Sequence, residues 1–165
     1  MIAGAVLLIA GVILLMRSVI VVRDGTVYVV ERLGRYARTL PAGVHVLAPF
    51  VDAVRFRYSV APADEQLADQ CITFDNVAVA ITSTFRWQIE DAEKASYAAA
   101  DVKEYVRGVV QTAQRHCISE RQSRDLRETT RELQQCVLRA VAGQAAQGGV
   151  KILAHDVGTI TNAAG

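Results

Sequence analysis

The chain has 165 residues, of which 52% are hydrophobic, and 18 Lys and Arg against 17 Asp and Glu give a formal net charge of +1. This length fits about one domain, and the near-neutral balance argues against a nucleic-acid binder, which normally presents a clustered basic face. The cysteines are few and widely spaced, with no C-x-x-C pair, so they indicate neither a disulfide scaffold nor a zinc site and suit a reducing compartment. They are Cys71, Cys117 and Cys136.

The N-terminal segment Ile2–Met16 is uncharged and almost wholly aliphatic, and Arg17 follows it. A helix of about fifteen residues spans only about 22 Å, but continuing it to Val22, with Arg17 reaching toward the headgroups, crosses the roughly 30 Å hydrocarbon core. A cleaved signal peptide and a buried core helix are the alternatives, although no Lys or Arg precedes the segment and it has no polar face. The favoured prediction is a membrane anchor over residues 1–18. Its apolar side chains include Ile2, Leu7, Leu8, Ile13, Leu14 and Leu15.

The distribution of arginine around this segment predicts its orientation. No Lys or Arg precedes the segment, whereas Arg17, Arg23, Arg32 and Arg35 follow it. The positive-inside rule therefore places the following domain on the cytoplasmic side of a plasma or inner membrane. A single span and a shallow hairpin are both compatible with that placement.

Beyond the anchor, apolar residues alternate with polar ones, which predicts β-strands. VIVVRDGTVYVVE is typical of two strands joined by a tight turn at Asp24–Gly25. AVRFRYSV and VAVAITSTFRWQI each have one apolar and one polar face, which favours a half-buried antiparallel sheet. The apolar face of the second segment comprises Val77, Val79, Ile81, Phe85, Trp87 and Ile89.

Three helices are predicted after these strands. Asp91 is placed to cap a short helix and Asp101 a longer one. A third helix is predicted from about residue 123 to residue 144, ending at Gly148–Gly149. Its apolar seam comprises Leu126, Thr130, Leu133, Val137 and Ala140. VKILAHDV then returns as a strand, so the order of elements predicts an α+β domain.

A search for catalytic and ligand-binding residues predicts none. His45, His116 and His155 lie in unrelated segments without a partner at metal-ligand spacing. No Gly-rich loop carries a Lys, which argues against nucleotide binding. Asp75–Asn76 precedes a strand, where both residue types favour a turn. We therefore expect no catalytic, cofactor-binding or metal-binding residue, and an enzyme without a recognisable motif is the remaining alternative.

Four segments occur in a characteristic order: ERLGRYARTLPAGVHVLAPFVDAV, ITFDNVAVAI, DAEKASYAAAD and VVQTAQRHCIS. Together they resemble the SPFH-domain family (band 7, stomatin/prohibitin), on its stomatin-like branch, and the resemblance runs from about Val19 to Ile160. The matching positions are Glu31, Arg32, Gly34, Arg35, Leu40, Gly43, His45, Pro49, Phe50, Asp52, Asp75, Asn76, Gln111, Thr112, Arg115 and Ile118.

The resemblance implies an SPFH domain over residues 19–160, with an antiparallel sheet packed by helices behind the membrane anchor. It also implies a non-enzymatic scaffold without a cofactor, which organises membrane microdomains and restrains a protease, channel or transporter. The alternative is an accessory subunit or regulator of a membrane-bound protease system. In such a domain Gly34 and Gly43 permit turns, and Leu47 and Phe50 are directed toward the core or the bilayer.

The chain also departs from the family pattern. Gly148–Gly149 stands where Trp-Gly is common, and the segment ERQSRDL is unusually polar. Members of the family continue into a long Ala/Glu-rich helix that assembles rings, whereas this chain ends in a short tail at residues 161–165. We therefore expect self-association, but only weak self-association.

Overall fold

The structure is a computed structural model, and it describes residues 18–126 and 128–162. The predicted anchor Ile2–Met16 and the last three residues of the predicted tail lie outside these ranges. The chain divides into two compact units, unit 1 (Met1–Ala61) and unit 2 (Pro62–Gly165). Antiparallel sheets and helices occur among the described residues, which confirms the predicted α+β class.

The described residues of unit 1 form two antiparallel sheets. Its strands are β1 (Val19–Val22), β2 (Thr26–Arg32), β3 (Arg35–Leu40), β4 (Gly43–Val46) and β5 (Asp52–Ser59). Strands β1 and β4 form a two-stranded sheet, and a second sheet has the order β3-β2-β5. Among its described residues, Val22, Val30 and Leu40 form a buried cluster, against which Ile20, Tyr28, Leu47 and Val54 pack.

The pairing of β1 differs from the sequence prediction. The turn at Asp24–Gly25 exists, with Gly25 at a φ of 74°, but β1 pairs with β4, whereas β2 pairs with β3 and β5. The predicted hairpin between β1 and β2 is therefore wrong. The physical reason is that Val22 gains burial by packing across the core against Val30. An alternating pattern specifies a face and not a hydrogen-bonded neighbour.

Unit 2 contains a three-stranded antiparallel sheet and three helices. The strands are β6 (Ala63–Ile72), β7 (Ala78–Ile89) and β8 (Val150–Asn162), in the order β6-β7-β8. The helices are α1 (Ala92–Ala98), α2 (Val102–Ser119) and α3 (Thr130–Gln147). The predicted register of β7 is confirmed, since alternate residues from Val79 to Ile89 are buried and Trp87 is only 6% exposed.

The helix caps follow the sequence prediction, but the third helix begins later than predicted. Asp91 accepts backbone hydrogen bonds from the first turn of α1, and Asp101 accepts one from the first turn of α2. Helix α3 begins at Thr130 and not near residue 123, because a contact with Asp75 holds Ser123 in the turns that precede the helix. The Ser123 amide and hydroxyl both donate to Asp75, at 3.0 and 2.7 Å. This contact holds the preceding segment in turns.

The apolar seam and the C-terminal end of α3 can also be compared with their sequence predictions. The buried positions of this helix are Leu133, Val137, Val141 and Ala145. Ala140, predicted to lie in the seam, is exposed. The helix ends at Gly148, and Gly149 has a φ of 66°, where a Cβ atom would lie 2.2 Å from the carbonyl oxygen of Asp91. The predicted stop at these glycines is confirmed.

The cysteines contradict the sequence prediction. Cys117 in α2 and Cys136 in α3 form a disulfide with a Cα–Cα distance of 6.1 Å, whereas Cys71 is free and buried. The expectation that no disulfide is present is therefore wrong. The two residues are 19 positions apart, and only the antiparallel packing of α2 against α3 brings them together. No local spacing signals this pair.

A buried polar cluster joins α2 to the sheet of unit 2. Gln114 is fully buried, and its Oε1 accepts a hydrogen bond of 2.7 Å from the Ser83 hydroxyl. His155 Nε2 lies 3.4 Å from the same oxygen. Burial lowers the pKa of His155 from its usual value of 6.5, and the opposing effect of Asp156 is smaller. The neutral imidazole is therefore the form that fits this core.

We expect the free energy of unfolding of unit 2 to decrease as the pH falls below about 6.5, because the unfolded chain then takes up a proton that folded His155 resists. The folded-state pKa lies below the unfolded one, so the contribution is complete above the unfolded pKa and is lost as the pH approaches the folded one. Urea unfolding at about pH 7.5 and about pH 5.5 measures this. His155→Gln should weaken the dependence and the exposed control His116→Gln should not. The opposite ranking would contradict the assignment to His155.

Candidate functional site

One face of the two-stranded sheet in unit 1 is apolar and exposed. In the register of β1 and β4, Val19 lies opposite Val46 and Val21 lies opposite Val44. Paired residues share a face, so these four side chains form one surface, here called the valine face. Their exposed fractions are 51%, 61%, 63% and 69% for Val19, Val46, Val21 and Val44. Exposed apolar surface of this kind marks an interaction site.

The valine face exists because β1 carries apolar residues on both of its faces. Ile20 and Val22 point into the core of unit 1, which leaves the other two valines of VIVV outside. Strand β4 pairs with β1 through backbone hydrogen bonds, and two side-chain contacts join it to neighbouring segments. Arg38 Nη2 donates to the carbonyl oxygen of Val46 at 2.5 Å. His45 Nε2 lies 2.8 Å from the carbonyl oxygen of Pro41.

A second apolar group, the apolar tip, consists of Leu33, Phe50 and Val51. Leu33 is 82% exposed and Phe50 is 92% exposed. The Leu33 amide donates to the carbonyl oxygen of Val51 at 3.2 Å, which joins the β2–β3 turn to the loop between β4 and β5. Leu33 and Phe50 both have positive φ, at 52° and 67°. A left-handed backbone is unfavourable for large side chains, so the fold holds both residues outward at a cost.

Asp52 fixes the base of the apolar tip. Its side chain is 1% exposed, and it accepts hydrogen bonds from Arg32 Nε at 2.7 Å and from the Ala48 amide at 3.0 Å. Arg38 Nη2 lies 3.8 Å away. The hydrogen bond from Arg32, followed by that from Ala48, lowers the pKa of Asp52 to about 2. The carboxylate therefore stays charged and ties the 47–51 loop to β2 and β3.

The apolar N-terminal segment joins the fold beside this surface. Ser18 follows Ile2–Met16 and Arg17 in the sequence, and its carbonyl oxygen accepts a 2.8 Å hydrogen bond from the Leu47 amide. Leu47 opens the loop that carries Phe50. Ser18 therefore lies at the end of the β1–β4 sheet that adjoins the loop with Phe50.

The charges of the two units differ in sign. Unit 1 contains seven Arg and three acidic residues, an excess of four positive charges. Unit 2 contains eleven Lys and Arg and fourteen acidic residues, an excess of three negative charges. The overall net charge of +1 therefore combines a basic unit 1, which contains the apolar segment, with an acidic unit 2. Such a distribution favours contact with an anionic surface.

The remaining motif residues of unit 1 shape its strands and turns. Glu31 lies on β2, and Arg35 begins β3 opposite Arg32. Gly34 has a φ of 80° and completes the turn that exposes Leu33, and Gly43 begins β4 with a φ of 138°. Pro49 precedes Phe50 in the loop between β4 and β5. These residues surround the valine face and the apolar tip.

The motif residues of unit 2 form separate structural contacts. Asp75 accepts a hydrogen bond from the Thr73 hydroxyl at 2.5 Å, and this bond, followed by those from Ser123, lowers its pKa to about 2. Asn76 occupies the same turn with a φ of 59°. The turn predicted at these two residues is confirmed.

Helix α2 is fastened to β6 through Asp69. Gln111 donates to Asp69 at 3.0 Å, and Arg115 makes two contacts of 2.7 Å with it. Burial raises the pKa of Asp69, but the hydrogen bonds from Arg115 and Gln111 outweigh it and leave the pKa below its usual value. The hydroxyl of Thr112 bonds the Gly108 carbonyl within α2. These residues position the helix, and Asp69, Gln111 and Thr112 line three different surface cavities.

Sequence reasoning did not identify the valine face. Because VIVV is apolar at every position, its pattern cannot show which residues are exposed. Across residues 18–126 and 128–162, no helix combines the length and apolar character needed to cross a membrane. Within the same ranges, no three His, Cys, Asp or Glu side chains group as a metal site requires. The exposed apolar surface of unit 1 is therefore the candidate functional site.

Comparison with known proteins agrees with the four sequence motifs. The model of the SPFH domain / Band 7 family matches residues 20–164. An uncharacterised protein of Schizosaccharomyces pombe is 31% identical over 146 residues, 82% of this chain and 39% of the relative. Human stomatin-like protein 2, mitochondrial, is 35% identical over 89 residues, 53% of this chain and 25% of the relative. An uncharacterised protein of Methanothermobacter thermautotrophicus is 32% identical over 120 residues, 71% of this chain and 36% of the relative.

The chain thus spans well under half of the length of each of these relatives. The similarity concerns the domain and not the whole of the longer proteins. The family match nevertheless extends over nearly the entire chain. On this evidence the chain belongs to the SPFH domain / Band 7 family.

Proposed function

We propose that this chain is a membrane-anchored scaffold of the SPFH type. Ile2–Met16 holds it at a bilayer, and unit 1 rests on the bilayer surface through the valine face and the apolar tip. The observation that carries the proposal is the placement of exposed apolar side chains beside Ser18, where the chain emerges from the apolar segment. An anchor at this point brings the same side chains to the interface.

The apolar side chains supply the attraction. Fully burying a Val, Leu or Phe side chain stabilises by about 1.5–3 kcal/mol. Partial burial of the seven residues of the valine face and the apolar tip at the boundary between headgroups and acyl chains therefore contributes several kcal/mol. This contribution adds to that of the anchor and orients unit 1 on the surface.

The arginines supply a preference for anionic lipid. Each Lys or Arg near an anionic leaflet contributes about 1 kcal/mol. Arg35 is exposed and lies two residues after Leu33 of the apolar tip. Together with the positive excess of unit 1, this favours the cytoplasmic leaflet, which carries anionic headgroups.

The scaffold role in this proposal is the organisation of membrane microdomains and the restraint of partner membrane proteins such as a protease, channel or transporter. Family membership and the resemblance to stomatin-like proteins support it. Self-association is part of the proposal, and we expect it to be weak. Leu133 and Val137 of α3 are buried within unit 2, which leaves little apolar area on this helix toward the roughly 1,200 Å² that a stable interface buries.

The experiment places a tryptophan on the valine face of the full chain. In a Trp87→Phe background, Val44→Trp is reconstituted into vesicles of anionic phospholipid with brominated acyl chains, which quench indole fluorescence on contact. We expect strong quenching because Val44 is 69% exposed on the proposed contact surface. The matched control is Ile72→Trp in the same background, at a position 61% exposed in unit 2.

The control should remain unquenched if only unit 1 meets the bilayer. Equal quenching at both positions, or none at Val44→Trp, would contradict the proposed orientation. Vesicles of neutral lipid test the role of the arginines separately. We expect weaker quenching of Val44→Trp in neutral than in anionic vesicles.

A further inference from the structure

The two cysteines of the disulfide in unit 2 differ in their exposure to solvent. Cys117 is fully buried, whereas Cys136 is partly exposed, between the exposed side chains of Gln135 and Arg139. Exchange requires a thiolate to reach one sulfur of the bond. Cys136 is therefore the sulfur that an external thiol can attack, and Cys117 is the leaving group.

The disulfide also lies next to a set of hydrogen bonds that link the α2–α3 connection to its neighbours. Arg121 Nη1 donates to the carbonyl oxygen of Cys117, and the Arg121 carbonyl oxygen accepts a 2.8 Å hydrogen bond from the Phe74 amide. Asp75 holds Ser123 in the same connection. The β6–β7 turn, the connection and the last turn of α2 thus form one linked region.

Helix α3 depends on this region at its first turn. Thr129 occupies the cap position but makes no side-chain capping hydrogen bond. Leu126, in the connection, is fully buried. The bond at Cys136 is therefore the covalent restraint on a helix start that lacks a side-chain cap. Loss of a restraint of this kind frees the ends that it joins.

We propose that Cys117–Cys136 is a reversible thiol–disulfide exchange site whose co-reactant is a dithiol. One thiolate of the dithiol attacks Cys136 Sγ, the bond between the two cysteines breaks, and Cys117 Sγ leaves with the electron pair and takes up a proton. The second thiol of the dithiol then attacks the mixed disulfide and releases Cys136. Two cysteine thiols are formed, and the dithiol is oxidised to its disulfide.

The third cysteine does not compete in this exchange. Cys71 is buried and free, and burial, followed by the nearby charge of Asp69, raises its pKa to about 11. It stays protonated at neutral pH, and the thiolate is the reactive form. Cys71 therefore does not resolve the mixed disulfide, and a reductant that carries a second thiol resolves it in an intramolecular step.

The cellular compartment also favours an exchangeable disulfide, and this point rests on the proposed function. If unit 1 contacts the cytoplasmic leaflet, unit 2 is on the cytoplasmic side as well. Disulfides in cytosolic proteins are rare and are usually transient, catalytic or redox-sensing. The accessibility of Cys136 and the linked contacts do not depend on that placement.

The test equilibrates the full chain, folded and in detergent, in buffers of defined ratio of reduced to oxidised dithiothreitol. Acid quenching, denaturation and alkylation then count the free thiols by mass. We expect about one thiol per chain in oxidising buffer and about three in reducing buffer, with reversible conversion in the absence of denaturant. Cys71→Ser should lower both counts by one, and Cys136→Ser should show no conversion.

Hydrogen exchange by mass spectrometry measures the consequence of reduction. We expect faster exchange in the α2–α3 connection and in the β6–β7 turn, and unchanged exchange in the strands of unit 1. Failure of the bond to form in oxidising buffer, reduction only in denaturant, or unchanged exchange in the linked region would each overturn the proposal. Because the Val44→Trp quenching experiment requires no redox change, the two proposals can fail separately.

Discussion

Replacing Trp87 with alanine is expected to lower the free energy of unfolding of unit 2 by about 3–5 kcal/mol, the usual cost of truncating a buried aromatic side chain. Trp87 is 6% exposed and lies on the buried face of β7 with Phe85 and Ile89. The cost combines lost transfer energy with the cavity that remains. Urea unfolding followed by circular dichroism measures it without relying on the indole itself.

Trp87→Phe is the matched control for this prediction. The buried indole Nε1 has no hydrogen-bond partner among the described residues, so removing it forfeits no such bond within that part of the chain. We expect a smaller cost than that of alanine, because the phenyl ring fills most of the cavity that alanine would leave. Equal costs for the two substitutions would indicate that the nitrogen, and not the ring volume, stabilises this site.

Deleting Ile2–Met16 is expected to release the protein from the membrane fraction. The segment contains about fifteen uncharged residues, and burying its apolar surface is worth many times RT. The full chain should remain in the pellet after a carbonate wash, and the deletion variant should move to the supernatant. Fractionation of cells that express each form, followed by immunoblotting, is sufficient as a readout.

The deletion also separates the anchor from the surface of unit 1. Without the anchor, the valine face and the arginines should still give weak, salt-sensitive binding to anionic vesicles. Val21→Asp in the deletion variant should abolish that residual binding, since it places a carboxylate on the proposed contact face. A deletion variant that still pelleted after carbonate would show that the principal attachment lies elsewhere in the chain.

Those parts of the fold that depend on local physics could be predicted from the sequence. The alternation of β7 indicated the buried face that contains Trp87, and the side chains of Asp91 and Asp101 indicated the starts of α1 and α2. Each signal lies within a few residues of the feature that it predicts. The late start of α3 was missed because it depends on Asp75, 48 residues away from Ser123 in the sequence.

The candidate site was only partly predictable for the same reason. Phe50 was expected at the core or at the bilayer, and the structure exposes it. The exposure of Val21 and Val44 depends on β1 pairing with β4, which the tight turn after β1 did not suggest. The disulfide likewise depends on the packing of two helices. Contacts between segments that are distant in the sequence cannot be predicted from a short stretch of residues.

The left-handed backbone at Leu33 and Phe50 has a consequence for protein engineering. Glycine adopts such φ values without the steric penalty that a side chain incurs, so a screen for thermal tolerance alone would favour glycine at both positions. The resulting variants would gain heat resistance and lose the two most exposed large apolar side chains among the described residues of unit 1. A chain selected in this way in detergent would unfold at a higher temperature than the original chain and bind a bilayer less tightly.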